Sequence, residues 1–206
     1  MLIDVVDYQA GNGPSVSYAL QKLNVPCRLI STPQEIMGAQ RLILPGVGAA
    51  EATMASLREG GYLEALTYKI LEERIPFLGI CIGLQILFEH SEEQQTTCLG
   101  WLPGGVRKFR TELPVPHIGW NQVEFLRSHP VLGGLPAPNY FYFVNSYYAV
   151  PHDESIVYGT ADYDGPFCAV IISRNIVATQ FHVEKSGPAG LKLLQTFATM
   201  ERSVLC

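Results

Sequence analysis

The stretch Gly79-Ile80-Cys81-Ile82-Gly83 sets a cysteine between two glycines, with the apolar run Pro76 to Ile80 leading in and a helix-like pattern leading out to His90. A turn of this kind between a buried strand and a helix has the geometry of a nucleophile elbow, which presents one side chain at the carboxyl edge of a sheet. Glycines flank it because a Cβ there would meet neighbouring backbone. The helix that follows turns unpaired N–H groups toward the sulfur and favours thiolate over thiol, the form that attacks carbonyl carbon. Taken alone, the pentapeptide reads equally well as a buried structural cysteine at a strand end, so partners must decide.

The partner needed is a base. Of the histidines His90, His117, His129, His152 and His182, only His182 ends an apolar strand and is followed two residues later by a carboxylate, in A-T-Q-F-H-V-E-K-S-G. In an extended segment residues i and i+2 face one side, so His182 and Glu184 are expected to project together, the carboxylate fixing the imidazole tautomer. Acyl transfer also needs donors for an oxyanion. Pro45-Gly46-Val47-Gly48-Ala49 follows the third apolar run and supplies unencumbered N–H groups from Gly46, Val47 and Gly48, with the N–H of Ile82 as a further donor. As a dinucleotide fingerprint that loop fails, because Glu51 stands where the third glycine belongs.

The elements that must position these groups follow from hydrophobic patterning. Short apolar runs at Leu2 to Val6, Cys27 to Ile30, Arg41 to Leu44 and Pro76 to Ile80 alternate with helical segments such as Ser15 to Leu23 and Gly61 to Glu73. This predicts an α/β fold with a mostly parallel central sheet covered by helices on both faces. From Gly104 to Gln180 the pattern is of additional, antiparallel strands: VRKF, NQVEF, YFYFVNSYYAV, SIVYGTAD, FCAVIIS and IVATQFHV. Ser186-Gly187-Pro188 then opens a last helix through about Met200, with Ser186 as its expected N-cap.

A chain of 206 residues, 48% hydrophobic and 16% charged, is expected to form one domain over 1–206. The net charge of -5, with scattered lysines and arginines, leaves no basic stripe for nucleic acid or anionic lipid. Cys27, Cys81, Cys98, Cys168 and Cys206 form an odd set without C-x-x-C spacing, which argues against disulfides and structural zinc and for a reducing, cytoplasmic setting. MLIDVVDYQAGN has no basic n-region, so no targeting is expected, and no apolar run reaches membrane-spanning length.

Together, the G-x-C-x-G elbow, the P-G-x-G loop and the late F-H-x-E-K-S resemble the class I, or triad-type, glutamine amidotransferases, in order and spacing across nearly the whole chain. DYQAGNGPSV, LPGVGAAEATM, GICIGLQILFEHSEE, PHIGWNQV, YFYFVNSYY and TQFHVEKSG are similar, more narrowly, to the glutaminase subunits of imidazole glycerol phosphate synthase, the HisH family. The resemblance implies a flavodoxin-like fold and hydrolysis of L-glutamine without metal or cofactor. It implies a heterodimer with a (β/α)₈ cyclase subunit that takes the ammonia into imidazole glycerol phosphate and an aminoimidazole carboxamide ribotide. Carried over by position, Cys81 is the nucleophile, His182 the acid and base, and Glu184 its orienting carboxylate. Gln85, Ser146 and Tyr147 hold the amino-acid end of the substrate, and Asn12, Trp120, Tyr142 and Lys185 lie near the partner interface and ammonia passage. His117 is expected to be structural, ordering the loop beneath Trp120.

Three positions depart from the family pattern: Val183 replaces a proline, Asn145 a histidine, and Gly13-Pro14 an apolar and a basic residue. The competing readings are a glutaminase feeding another synthase, such as pyridoxal phosphate synthase or a different sugar-amidating system, and a non-catalytic regulatory subunit of the same fold. A cysteine protease is the weakest, because the similar segments extend well beyond the triad.

Overall fold

Near-continuous apolar strands have two faces to hide, and the chain hides both. The computed structural model describes residues 2–8, 12–135 and 137–204; Cys206 and residues 9–11 of DYQAGNGPSV lie outside them. Four parallel strands, β1 (Ile3–Val6), β2 (Cys27–Ile30), β3 (Leu42–Gly46) and β4 (Phe77–Cys81), are connected through α1 (Gly13–Lys22), α2 (Pro33–Gly38), α3 (Ala50–Glu59) and α4 (Tyr62–Thr67). A one-turn helix, α5 (Ile82–Gln85), follows β4. The strands β5 (His90–Ser91), β6 (Thr96–Thr97), β7 (Gly104–Lys108), β8 (His117–Gln122), β9 (Glu124–Phe125), β10 (Tyr140–Asn145), β11 (Tyr147–Pro151), β12 (Val157–Asp162), β13 (Pro166–Ser173) and β14 (Ile176–Thr179) come next, and α6 (Gly187–Thr199) closes the order.

The main sheet runs β2-β1-β3-β4-β14-β13-β12-β9, parallel as far as β14 and antiparallel beyond it. Along β3 and β4, Ile43, Leu78 and Ile80 pack under α1 and α6, while Leu42, Leu44 and Phe77 face the side of α2, α3 and α4. Every residue of β1, β3, β4 and β14 is buried, which is why these read as unbroken apolar runs. β2 is the edge: Arg28 and Leu29 are exposed, and Arg28 pairs with buried Asp4 on β1.

The expected mixed sheet is present, with five differences in detail. YFYFVNSYYAV is two strands in two sheets, broken at Ser146, and NQVEF divides between β8 and β9 because the N–H of Val123 bonds to the Asn139 carbonyl at 2.9 Å. In SIVYGTAD the first residues form a 3₁₀ turn, Glu154–Ile156, capped by Asp153. Gly61 to Glu73 is α4 followed by a π turn, Tyr68–Glu72. IVATQFHV stops being a strand at Thr179, because its Oγ1 donates 2.9 Å to the Phe181 carbonyl and turns the chain.

Entry into β4 depends on one buried side chain. Asn175, 2% exposed, donates from Nδ2 to the carbonyls of Ile70 (3.0 Å) and Ile75 (2.8 Å), while its own carbonyl accepts from the N–H of Phe77 (3.0 Å). Removing its amide strands two buried acceptors. Asn175→Ala is expected to lower unfolding free energy by about 2–3 kcal/mol in urea denaturation, with no cavity large enough to account for that loss.

Candidate active site

The carboxyl ends of β3, β4 and β14 lie side by side, the place where open α/β sheets gather ligands. Register pairs Gly46 with Cys81 and Thr179 with Ile80, so the Gly46 to Gly48 loop, the cysteine and the segment leading to His182 converge there. A cavity of about 290 Å³ opens at this edge, lined among others by Val47, Gly48, Cys81, Gln85, Ser146 and His182. That is the small end of the ~300–1,000 Å³ range typical of ligand clefts and suits a compact substrate. A larger groove of about 430 Å³ beside Arg107, Arg110 and Tyr163 is lined by no cysteine or histidine.

Cys81 sits at φ 56° and ψ -106°, a left-handed conformation that costs about 1–3 kcal/mol for a residue with a side chain. The surrounding glycines hold it there. A Cβ on Gly79 would lie 2.4 Å from the Gly83 carbonyl oxygen, and a Cβ on Gly83 would lie 2.1 Å from that of Leu44. The elbow thus exists because the turn and two strands touch backbone to backbone. The helix expected after it is only α5, since the carbonyls of Ile86, Leu87 and Phe88 are taken by the N–H groups of Leu99, Leu102 and Gly100. The sulfur therefore faces the free N–H groups of one turn, not a long helix dipole.

His182 and Glu184 meet, though not as alternate residues of a strand. His182 (φ -83°, ψ 100°) precedes a 3₁₀ turn, Val183–Lys185, and that turn brings Glu184 Oε1 to 2.8 Å from the ring Nδ1. An extended chain would place the carboxylate farther along the edge; the tight turn folds it back. Burial by itself would lower the His182 pKa, but hydrogen bonds and charge from Cys81 and Glu184 override it and hold the imidazole up to about 10. With Nδ1 on the carboxylate, Nε2 is left for the sulfur.

Two neighbours complete the arrangement. Asn12, expected near the interface, turns inward and donates from Nδ2 to the same Glu184 oxygen at 2.6 Å. Ser186 occupies the N-cap position of α6 without capping it, because its hydroxyl donates to the His182 carbonyl (2.6 Å) and accepts from the N–H of Tyr142 (2.9 Å). The N–H of His182 in turn donates to the Tyr142 carbonyl at 3.0 Å.

Gln85, Ser146 and Tyr147 are brought to the cavity as expected. Gln85 Nε2 donates to the Tyr147 carbonyl (2.9 Å) and to Gln180 Oε1 (3.0 Å), and the Asn145 amide shares that Tyr147 carbonyl at 3.0 Å. Lys185 lies at the cavity rim, whereas Trp120 and Tyr142 are set apart on the outer face of β8 and β10, ring centroids 6.1 Å apart. His117 is buried and stacked between Phe143 and Tyr163, away from the sulfur; burial lowers its pKa, and the neighbouring Asn145 amide works against that. Sequence reasoning missed Gln180 and Ser186. Both adjoin the histidine, but nothing in their spacing distinguishes an inward amide or hydroxyl.

The glutamine amidotransferase class-I family matches residues 4–200. The imidazole glycerol phosphate synthase subunit HisH of Dehalococcoides mccartyi (strain CBDB1) is 47% identical over 200 residues, covering 97% of each chain. The HisH subunit of Desulfitobacterium hafniense (strain Y51) is 43% identical over 197 residues, 95% of this chain and 93% of its own. Among solved structures, PurLQS from Thermotoga maritima superposes with a TM-score of 0.76 at 17% identity, covering 95% of this chain and 96% of that one. A glutamine amidotransferase crystal structure gives 0.74 at 18%, covering 95% and 99%.

Two outcomes follow from the geometry. Because the folded His182 pKa lies above its ordinary 6.5, the stability it contributes is fully present below that value and is lost as pH rises to about 10. The urea midpoint is expected to fall across this window, and to fall less in His182→Asn. Gly83→Ala, which drives a Cβ into the Leu44 carbonyl, is expected to lose at least ~3 kcal/mol by the same assay.

Proposed function

The chain belongs to the class I glutamine amidotransferases and, within them, to the HisH glutaminase subunits of imidazole glycerol phosphate synthase, and from that premise we propose how its own residues act. One amidotransferase domain spans 1–206, and its reaction is hydrolysis of L-glutamine to L-glutamate and ammonia. The observation that carries the site assignment is the meeting of Cys81, His182 and the buried Glu184 at the carboxyl edge, beside the Gly46 to Gly48 loop.

The Cys81 thiolate attacks the side-chain carboxamide carbon of glutamine. Charge that develops on the amide oxygen is met by the Ile82 N–H, which as the first of α5 has no partner within the helix, and by N–H groups from Gly46, Val47 and Gly48. The protonated His182 passes its proton to the departing nitrogen, so the C–N bond breaks and ammonia leaves a thioester. The neutral imidazole then takes a proton from water, whose oxygen attacks the thioester, and glutamate departs as the thiolate re-forms. Glu184, steadied by Asn12, keeps Nε2 directed at the sulfur throughout.

At the other end of the cavity, both Nε2 hydrogens of Gln85 are committed to Tyr147 and Gln180. Its Oε1 is therefore the atom left to accept from the substrate's α-ammonium group. Ser146 and Tyr147 flank it, with the Ser146 carbonyl fixed by the N–H of Phe109 at 3.0 Å.

Ammonia released to neutral water is protonated and ceases to be a nucleophile, so a partner must receive it out of solvent. We assign that role to a (β/α)₈ cyclase subunit docking on the outer face of β8 and β10. Ile118 and Trp120 are 61% and 56% exposed there, and Tyr140, Tyr142 and Val144 continue the apolar surface to the cavity rim. Such a patch on a folded chain marks a binding surface. Lys185 at the same rim adds a charge to the docking edge. The four cysteines among the described residues are free, which agrees with a reducing cytoplasm, and no helix of those residues is long and apolar enough to cross a membrane.

Ammonia and glutamate release should be measured for the chain alone and with a histidine-pathway cyclase subunit plus its ribonucleotide ligand. Turnover is expected to rise sharply with both, and to fall by roughly 10³-fold or more in Cys81→Ala. Equal turnover with and without the partner would overturn the coupled assignment, and a fully active Cys81→Ala would overturn the nucleophile.

A further inference from the structure

Between the end of β14 and His182 lies Gln180, a glutamine with no exposed surface, whose main-chain N–H is tied to the Ala169 carbonyl at 2.9 Å. Its side chain reaches across the site, with Nε2 3.7 Å from the Cys81 sulfur and Oε1 accepting from Gln85 at 3.0 Å. We propose that Gln180 is a positioning residue of the nucleophile: its buried amide, locked by Gln85, holds the Cys81 sulfur in place and favours its ionised form. The proposal rests on the reading of Cys81 as the attacking group.

The direction of this amide follows from the chain of contacts. The Tyr147 carbonyl can only accept, so the end of Gln85 facing it is the nitrogen. Only an oxygen can then face that same nitrogen from Gln180, which leaves the Gln180 N–H directed at the sulfur. A neutral thiol is a weak acceptor, whereas a thiolate accepts strongly. A buried N–H needs an acceptor, so this one gains more from the charged sulfur than from the neutral one.

His182 does not duplicate this. The imidazole stabilises the thiolate with a proton that it must surrender to the leaving nitrogen, while the Gln180 amide keeps its hydrogens through the cycle and meets the thiolate again when it re-forms. Gln85 both lines the glutamine cavity and anchors Gln180, so one side chain ties the substrate end of the site to the sulfur.

The test is iodoacetamide alkylation as a function of pH, read by peptide mass spectrometry so that Cys81 is scored apart from Cys27, Cys98, Cys168 and Cys206. It needs neither glutamine nor partner. Gln180→Met keeps length and bulk and removes the donor. With near-UV circular dichroism retained, its Cys81 alkylation rate at pH 7 is expected to fall at least about tenfold, with the half-maximal pH moved upward. In the unmutated chain, the ¹⁵N side-chain amide signal of Gln180 is expected to shift over the pH range in which alkylation switches on, and to lose that shift in Cys81→Ser. This second reading stands even where Gln180→Met fails to fold. A folded Gln180→Met that alkylates at the parental rate and pH, or an amide signal indifferent to pH, overturns the proposal alone. A Cys81 unreactive at every pH in the unmutated chain overturns the nucleophile and this proposal together.

Discussion

Three ionisable side chains, those of Cys81, His182 and Glu184, sit almost wholly out of water at one edge of the sheet, at 5%, 3% and 1% exposure. Charges so placed are favoured where each compensates another and lone pairs find donors; Glu184 meets this at Oε1, while its Oε2 is buried without a hydrogen-bond partner. Much of the local structure serves that requirement. Asn12 at the mouth of α1 supplies a donor to Glu184, and Ser186, by giving up its capping role, pins the main chain of His182. The strain at Cys81 belongs to the same account, because only a left-handed residue at the end of β4 lifts the sulfur out of the strand toward the imidazole.

The strand β10 links this buried row to the surface. Phe141, Phe143 and Asn145 point inward, Phe141 stacking on Phe181 at 4.0 Å, while Tyr140, Tyr142 and Val144 point outward with the period of two that a strand imposes. One edge of β10 is hydrogen-bonded to β8, and along the other Tyr142 bonds to both His182 and Ser186. The face assigned to the partner and the main chain carrying the base are thus two sides of one strand. Trp120 pairs with Tyr142 across the strands and Tyr142 is hydrogen-bonded to the main chain of His182, so a short, hydrogen-bonded route joins that outer face to the imidazole.

What the sequence made legible divides along the range of the forces involved. Buried parallel strands announce themselves because both faces are apolar, and the glycine-flanked Cys81 announces itself because close backbone approach excludes any Cβ; both are local. His182-x-Glu184 was found by a correct pairing and a wrong conformation. The extended chain imagined there is a 3₁₀ turn, set by the Thr179 hydroxyl and by Ser186, whose bonds cannot be read from alternation of polarity. The breaks at Ser146 and Val123 were hidden for a related reason, since strand pattern continues on either side and only a change of sheet separates the strands. Gln180 and the inward turn of Asn12 depend on residues up to 172 positions away and leave no trace in spacing.

The same distinction bears on two positions that the sequence reading sets apart from the family pattern, Val183 and Asn145. Val183, where the resemblance leads one to expect proline, is the fully buried first residue of the 3₁₀ turn. Proline is tolerated there because its fixed φ suits a helical start and its missing N–H is unneeded. Valine holds the turn by packing into the core, whereas a proline would act by backbone restriction. Asn145 is a different case. Its amide donates to the Tyr147 carbonyl beside Gln85 and lies opposite His117, so a group that does not titrate occupies a wall of the substrate cavity. The carbonyl to which Gln85 is anchored therefore keeps its second donor as pH changes.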